Sequence, residues 1–306
     1  MWQGWEATKE LTLTIATMVH NAFSGMQDIL ASLLTTTTGP YHFIFLDDAS
    51  EKPMKQFLFD DLKSYWEGRC IGEPKYIRSD ENVGIPVGSQ LIVDNCTTDL
   101  LAIFHNDVQI LQPDWDTEVL KLFASDPKLG LVSFFGCPGV MANGSRGGMH
   151  PGIGTGWSNM IDAEQHGARI SEPRAIAVPD GFAMILRRKM LKVTGGYGPH
   201  NYHYDIALGL QSLAAGFHNM VAPISCRHLG TQTRLKPDYM KWMGETFGTG
   251  DQWAVYKMWD ADIVKIWGPC LPLYVYEDFS FAKIDPLTGV PTGQNIREYD
   301  WKTAPE

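Results

Sequence analysis

The chain has 306 residues, 44% of them apolar and 20% charged. These are ordinary globular values, and the length suits one large α/β domain with elaborations or two closely packed subdomains. Its 25 basic and 35 acidic side chains give a net charge of −10, which repels a polyanion and argues against nucleic acid as a partner. No run approaches the roughly 18 to 20 apolar residues of a membrane span, and the first residues lack the basic flank and apolar block of a signal peptide, so the expectation is a soluble, cytoplasmic protein.

From Leu11 to Leu131 short apolar, β-branched runs alternate with longer amphipathic stretches, the pattern of βα units around a mostly parallel sheet flanked by helices. Leu11 to Thr17 reads as a strand, Ala22 to Leu34 as a helix, Tyr41 to Leu46 as a strand and Lys52 to Trp66 as a helix. Lys75 to Arg78 is then a short strand, Ile85 to Asn95 a helix, and Leu100 to Phe104 a fully apolar strand suited to the sheet centre. The segment Gly136 to Gly156 is glycine-rich without apolar periodicity and reads as a long mobile loop, with Arg146 and His150 either meeting phosphate or lying on its solvated surface. Strands resume at Ala175 to Val178 and Phe182 to Leu186. A helix from Asp205 to Ala215 follows, closed by Gly216. The expected division is a catalytic unit over residues 1–235, with a nucleotide-binding half at about 11–110 and an acceptor-binding half at about 111–235. An aromatic-rich helical extension and tail occupies residues 236–306.

Polar clusters end several of these strands. Asp47-Asp48-Ala49-Ser50 suits either a helix-capping turn or a base reader, since a carboxylate accepts the imide N–H of a uracil ring. His105-Asn106-Asp107 follows the most apolar strand, where unpaired polar groups are costly; it reads as a turn or as a site for a divalent cation, with Asp107 the hard oxygen ligand and His105 its softer companion. Asp205 suits an N-cap, a role compatible with reaching substrate. His228 is a core histidine or a metal ligand. The five cysteines are odd in number and widely spaced, and they form neither a disulfide framework nor a zinc knuckle.

The order of these pieces resembles a family 2 glycosyltransferase of GT-A fold. Thr14 to Asn21 resembles the opening strand of that family, Phe43 to Ser50 its V-D-D-x-S element and Asn82-Val83-Gly84 its N-x-G. Leu101 to Val108 falls on its D-x-D element, and Gln112-Pro113-Asp114-Trp115 follows. Gly181 to Arg188, Gly195-Gly196-Tyr197, Asp205 through Phe217, and His228 with Gly230 and Thr231 continue the match, which spans about residues 11 to 233. The chain departs from the pattern at His105, in place of the first acid of D-x-D, at Tyr204, in place of the Glu of E-D, and at Ala207, in place of a second Asp.

The resemblance implies transfer of a sugar from a nucleotide-diphosphate donor, by expectation a UDP-sugar, to an acceptor hydroxyl with inversion. It implies Mn²⁺ or Mg²⁺ held by Asp107, His228 and His105, which stabilises the charge of the diphosphate leaving group. Asp205 is the expected base toward the acceptor hydroxyl. Thr17, Asn21, Asp47, Asp48, Asn82 and Asn106 are expected at the donor nucleotide, and Asp180, Gly181 and Tyr204 at the donor or acceptor sugar. The acceptor, whether glycan, lipid-linked, protein or small molecule, is open. Two alternatives stand beside this reading: a nucleotide-sugar-binding module that has lost catalysis, and a nucleotidyltransferase. The second would need a basic, glycine-rich loop after the first strand, and Met18 to Ser24 holds no Lys or Arg and is followed by a single late glycine, Gly25.

Overall fold

The computed structural model describes residues 10–147, 156–161, 167–197, 203–229, 241, 244–245, 247–249 and 251–303. His150, Gly230, Thr231, Trp242 and the second half of the glycine-rich segment lie outside them. The strands are β1 Leu13–Val19, β2 His42–Asp48, β3 Lys75–Ser79, β4 Leu100–His105, β5 Val108–Ile110, β6 Leu129–Ser133, β7 Phe135–Cys137, β8 Gly139–Val140, β9 Arg146–Gly147, β10 Trp157–Met160, β11 Arg174–Ala175, β12 Val178–Pro179, β13 Ala183–Arg187, β14 His218–Val221, β15 Ser225–His228 and β16 Leu273–Tyr274. The helices are α1 Phe23–Thr36, α2 Lys63–Trp66, α3 Gly84–Asn95, α4 Trp115–Ser125, α5 Arg188–Thr194, α6 Tyr204–Ala214 and α7 Gln252–Trp267.

Eight strands form the central sheet in the order β11-β14-β6-β13-β4-β1-β2-β3. The β3-β2-β1-β4 half is parallel throughout, as the alternation of strands and helices predicts. β13 then enters antiparallel between β4 and β6, so the whole is more mixed than the sequence suggests. β4 is central because it carries no polar side chain before His105, and Leu100 through Phe104 are all buried. Helix α1 covers one face with Met26, Ile29, Leu30 and Leu33, a spacing of three and four that puts them on one stripe. It stops where the hydroxyls of Thr35 and Thr36 bond back to the Ser32 carbonyl, ahead of a β-branched run.

Two expectations are corrected. Lys52 to Trp66 is not one helix: Pro53 disfavours helical geometry at Lys52, and regular structure comes as a π-helical turn at Phe57–Asp61 followed by α2. Residues 135–147 are not a mobile loop either. They form β7, β8 and β9, with β7 and β8 wholly buried. β7 joins a second sheet of order β12-β7-β10-β15-β5, while β8 pairs on one side with β9 and on the other with β16 from the tail. Glycine there permits close strand approach that apolar periodicity does not reveal. Among the described residues no helix is long and apolar enough to cross a membrane, and none of the five cysteines is in a disulfide.

Candidate active site

The ends of β4 and β15 make the centre of the site. β15 runs antiparallel to β5 with His228 opposite Val108, and the Leu229 N–H donates to the Asp107 carbonyl at 2.9 Å. That register sets His228 beside Asp107, with Nε2 3.3 Å from Oδ1. His105, Asp107 and His228 each offer a ligand atom within 4.8 Å of the others, all partly buried. The Phe182 ring stacks on His228 at 4.7 Å and closes one side. Burial pushes the Asp107 carboxyl up, but the hydrogen bond and charge of His228, with His105 behind it, outweigh this and hold it below the usual carboxylate range. Burial lowers the His105 pKa and the neighbouring His228 adds to the effect. A lowered imidazole keeps its lone pair available near neutral pH, as a metal ligand must.

The same β4 end gathers the second group. Because β13 pairs with β4, the His105 N–H donates to the Phe182 carbonyl at 2.8 Å and the turn Asp180-Gly181 lies next to it. Helix α6 begins over this turn. Asp205, in its first turn and 6% exposed, accepts the Gly181 N–H on Oδ2 at 3.0 Å, while Oδ1 accepts the Ile206 N–H at 2.8 Å. Gly181 is dictated by packing, since a Cβ there would stand 2.2 Å from the Tyr204 hydroxyl.

Arg146 completes the group and was not foreseen in this place. Its side chain is 24% exposed and bonds Asp205 Oδ2 through Nη2, while Nη1 lies 3.6 Å from Asp180 Oδ2. The solvated-loop reading of Arg146 is therefore corrected. Burial pushes Asp180 up, but Arg146, then His228 and His105, hold it below the usual range. A planar guanidinium suits this bridging role because its donors point in fixed directions. One arginine in a glycine-rich stretch is a weak signal, and only the strand pairing of β8 with β9 reveals its target.

The expected nucleotide residues separate. Asp47 is fully buried and both its oxygens are taken: Oδ1 accepts the Ser50 N–H at 3.0 Å, and Oδ2 accepts from the Met54 N–H at 3.0 Å, the Tyr76 hydroxyl at 2.6 Å and Arg78 Nη1 at 2.5 Å. These bonds and its complete burial commit Asp47 to the fold. Asn21 is likewise committed: its N–H donates to Ser50 Oγ, its Oδ1 accepts the Glu51 N–H, and its Nδ2 meets His20 Nε2, tying two loops together. Asp48 accepts from Ser79 Oγ, the Val83 N–H and the Gly84 N–H, with one donor on Oδ2 among the described residues. The Thr17 hydroxyl is buried at the end of β1 and finds no partner among them. Asn82 is exposed with Oδ1 accepting the Gly84 N–H, and Asn106 is half-buried beside the cation cluster.

Helix α7 backs this site from the tail. The Asp260 carboxylate lies 3.0 Å from His203 Nε2, one residue before Tyr204, and His203 is flanked by Tyr256 and Trp259 rings at 6.1 and 5.5 Å. Gly144, at φ +88°, packs under the same residue, where a Cβ would come within 2.1 Å of the Asp260 carbonyl oxygen. The extension thus touches both segments that deliver Arg146 and Asp205.

A family model described as "Glycosyl transferase family 2" matches residues 14–195. No curated protein matches the chain in sequence. Similar solved structures include GalNAc-T7 with UDP, GalNAc and Mn²⁺, 14% identical with a TM-score of 0.55 over 83% of this chain and 55% of that one. Another is the mannosyltransferase PcManGT from Pyrobaculum calidifontis in complex with GDP-Man and Mn²⁺, 12% identical with a TM-score of 0.54 over 87% and 74%. A third is S. aureus TarS 1–349 in complex with UDP-GlcNAc, 12% identical with a TM-score of 0.52 over 83% and 72%. At these identities the likeness is one of fold, and the chain spans little more than half of the GalNAc-T7 structure.

Proposed function

Because the chain belongs to glycosyl transferase family 2 and has the GT-A fold, we propose that it transfers a sugar from a nucleotide-diphosphate donor to an acceptor hydroxyl, with inversion at the anomeric carbon. The observation that carries this is the meeting of His105, Asp107 and His228 in one cluster, joined to Asp205 through Asp180 and Arg146. Three neighbours of the same fold are named as complexes with a nucleotide or nucleotide sugar, and two of these also with Mn²⁺.

The donor set fits a divalent cation: one carboxylate, two imidazoles, and open positions for phosphate oxygens and water. Two nitrogen ligands favour Mn²⁺ over Mg²⁺, whose hard, octahedral oxygen preference they do not meet. When bound, such an ion neutralises charge that grows on the diphosphate as the glycosidic bond breaks. Asp205 receives the acceptor proton through Oδ1, the oxygen that Arg146 does not touch and that accepts only the Ile206 N–H among the described residues, while Arg146 and the Gly181 N–H fix the carboxylate in position. Asp48 and Thr17 face the base and Asn82 and Asn106 the donor, with UDP the expected nucleotide. Asp180 and Tyr204 line the sugar side.

Release of UDP or GDP from a panel of nucleotide sugars, with and without Mn²⁺, tests the reading. Manganese-dependent turnover that exceeds the magnesium rate supports it, and metal-independent turnover contradicts it. A second reading is a nucleotide-sugar-binding module without catalysis. The clamp of Arg146 on Asp205 favours it, since the expected base already has a charged partner. It requires nucleotide-sugar binding by calorimetry with no nucleotide diphosphate released by any acceptor.

A further inference from the structure

The two positions where this chain departs most from the family pattern touch one another. His105 and Tyr204 are 99 residues apart in sequence, yet His105 Nε2 lies 3.1 Å from the Tyr204 hydroxyl. The phenol is held from several sides. Its ring packs against Tyr197 at 5.9 Å, and its hydroxyl fills the space that a side chain at Gly181 would need. A carboxylate at either position would leave the other partner facing a different charge, so imidazole and phenol make a matched neutral pair.

A neutral imidazole has one N–H and one lone pair, and the partner of one nitrogen decides which is which. Were the Tyr204 hydroxyl to donate to Nε2, the proton would sit on Nδ1 and His105 would have no lone pair left for a cation. A phenol oxygen also has lone pairs, so in the opposite arrangement it accepts from Nε2–H, and the Nδ1 lone pair is left for a cation. Resting on the metal-site reading above, we propose that Tyr204 is a positioning residue for the cation site: its oxygen accepts the Nε2–H of His105 and so fixes the tautomer whose Nδ1 ligates the divalent ion. The pair would then couple the ligand His105 to the first turn of the helix that carries Asp205.

Two measurements test this on the intact chain. In the first, Mn²⁺ alone is titrated and the free-ion signal followed by electron paramagnetic resonance for the unmodified protein, Tyr204→Phe, His105→Ala and the double variant, with Asp107→Asn as the control. Tyr204→Phe is expected to weaken Mn²⁺ binding about 10- to 100-fold, as loss of an outer partner of a metal-ligating histidine does. The double variant is expected to bind no more weakly than His105→Ala. Unchanged affinity in Tyr204→Phe, or losses that add in the double variant, overturns the proposal. If the unmodified protein binds no Mn²⁺, or Asp107→Asn binds as well as it does, the metal reading falls too. The second measurement needs no substitution at Tyr204: ¹⁵N resonances of the histidine rings, with His105 assigned by its absence in His105→Ala, should show the Nε2–H tautomer. The Nδ1–H form overturns the proposal even if Tyr204→Phe fails to fold.

Discussion

Two carboxylate groups sit at the ends of β2 and β4, the strands on either side of β1, and they differ in what satisfies them. At the end of β2, Asp47 is enclosed by donors from residues 50 to 78 of its own half, all satisfied before any ligand arrives. At the end of β4 and the start of α6, Asp107 and Asp205 are held by His228, Arg146 and the Gly181 N–H, partners contributed by segments far away in the chain. The first arrangement closes a fold. The second brings charges of both signs to one place. A carboxylate after a strand is therefore not in itself a site; what distinguishes the two is whether the partners of its oxygens come from nearby or from distant segments.

Substitutions should separate the two groups by readout. The largest effect on turnover is expected for Asp205→Asn, which removes the proposed proton acceptor and should lower acceptor-dependent release of nucleotide diphosphate by about 10²- to 10⁴-fold. Its melting temperature should change little relative to that loss. Arg146→Lys comes next: a point charge cannot span Asp205 and Asp180 as the guanidinium does, and displacing a catalytic group by about 1 Å costs on the order of 10²-fold. A variant with full activity would show that the clamp is incidental.

Asp47→Asn should move stability and not chemistry. Its amide nitrogen must face donors on one side or the other of the buried carboxylate, at a cost of about 2 to 3 kcal/mol. Thermal unfolding checks this, and kcat measured well below the melting temperature should stay near the parent value. The smallest effect is expected in acid. Asp47, Asp107 and Asp180 all have carboxyl pKa values held below the ordinary range. Each contributes stability that is present above its unfolded value and lost as pH falls through its folded one, so the stability curve should steepen below about pH 4. In Asp47→Asn that slope should be shallower, because one proton fewer is taken up on unfolding.

The parallel half of the sheet was legible in the sequence because each strand from Leu13 to His105 is an apolar run ended by polar residues, and each intervening helix has a turn signal at its edges. The cluster of His105, Asp107 and His228 was legible only through the family resemblance, since nothing local says that β15 will lie against β5. Arg146 was not legible at all. Glycines at 139, 144 and 147 erase the periodicity by which β8 and β9 would announce themselves, and the partners of Arg146 lie 34 and 59 residues ahead in sequence. Asp47 misled for the opposite reason: a motif position records which residue is present and not which way its oxygens are turned.

Asp260 leans on the segments that carry Arg146 and Asp205 together, its carbonyl over Gly144 and its carboxylate on His203. A chimera that grafts the segment after Asp251 from a relative onto this chain would give Arg146 and Asp205 a foreign backrest. The tail is thus no interchangeable module, and drift in its sequence should be felt at Arg146 and Asp205 unless residue 144 and the histidine before Tyr204 change in step.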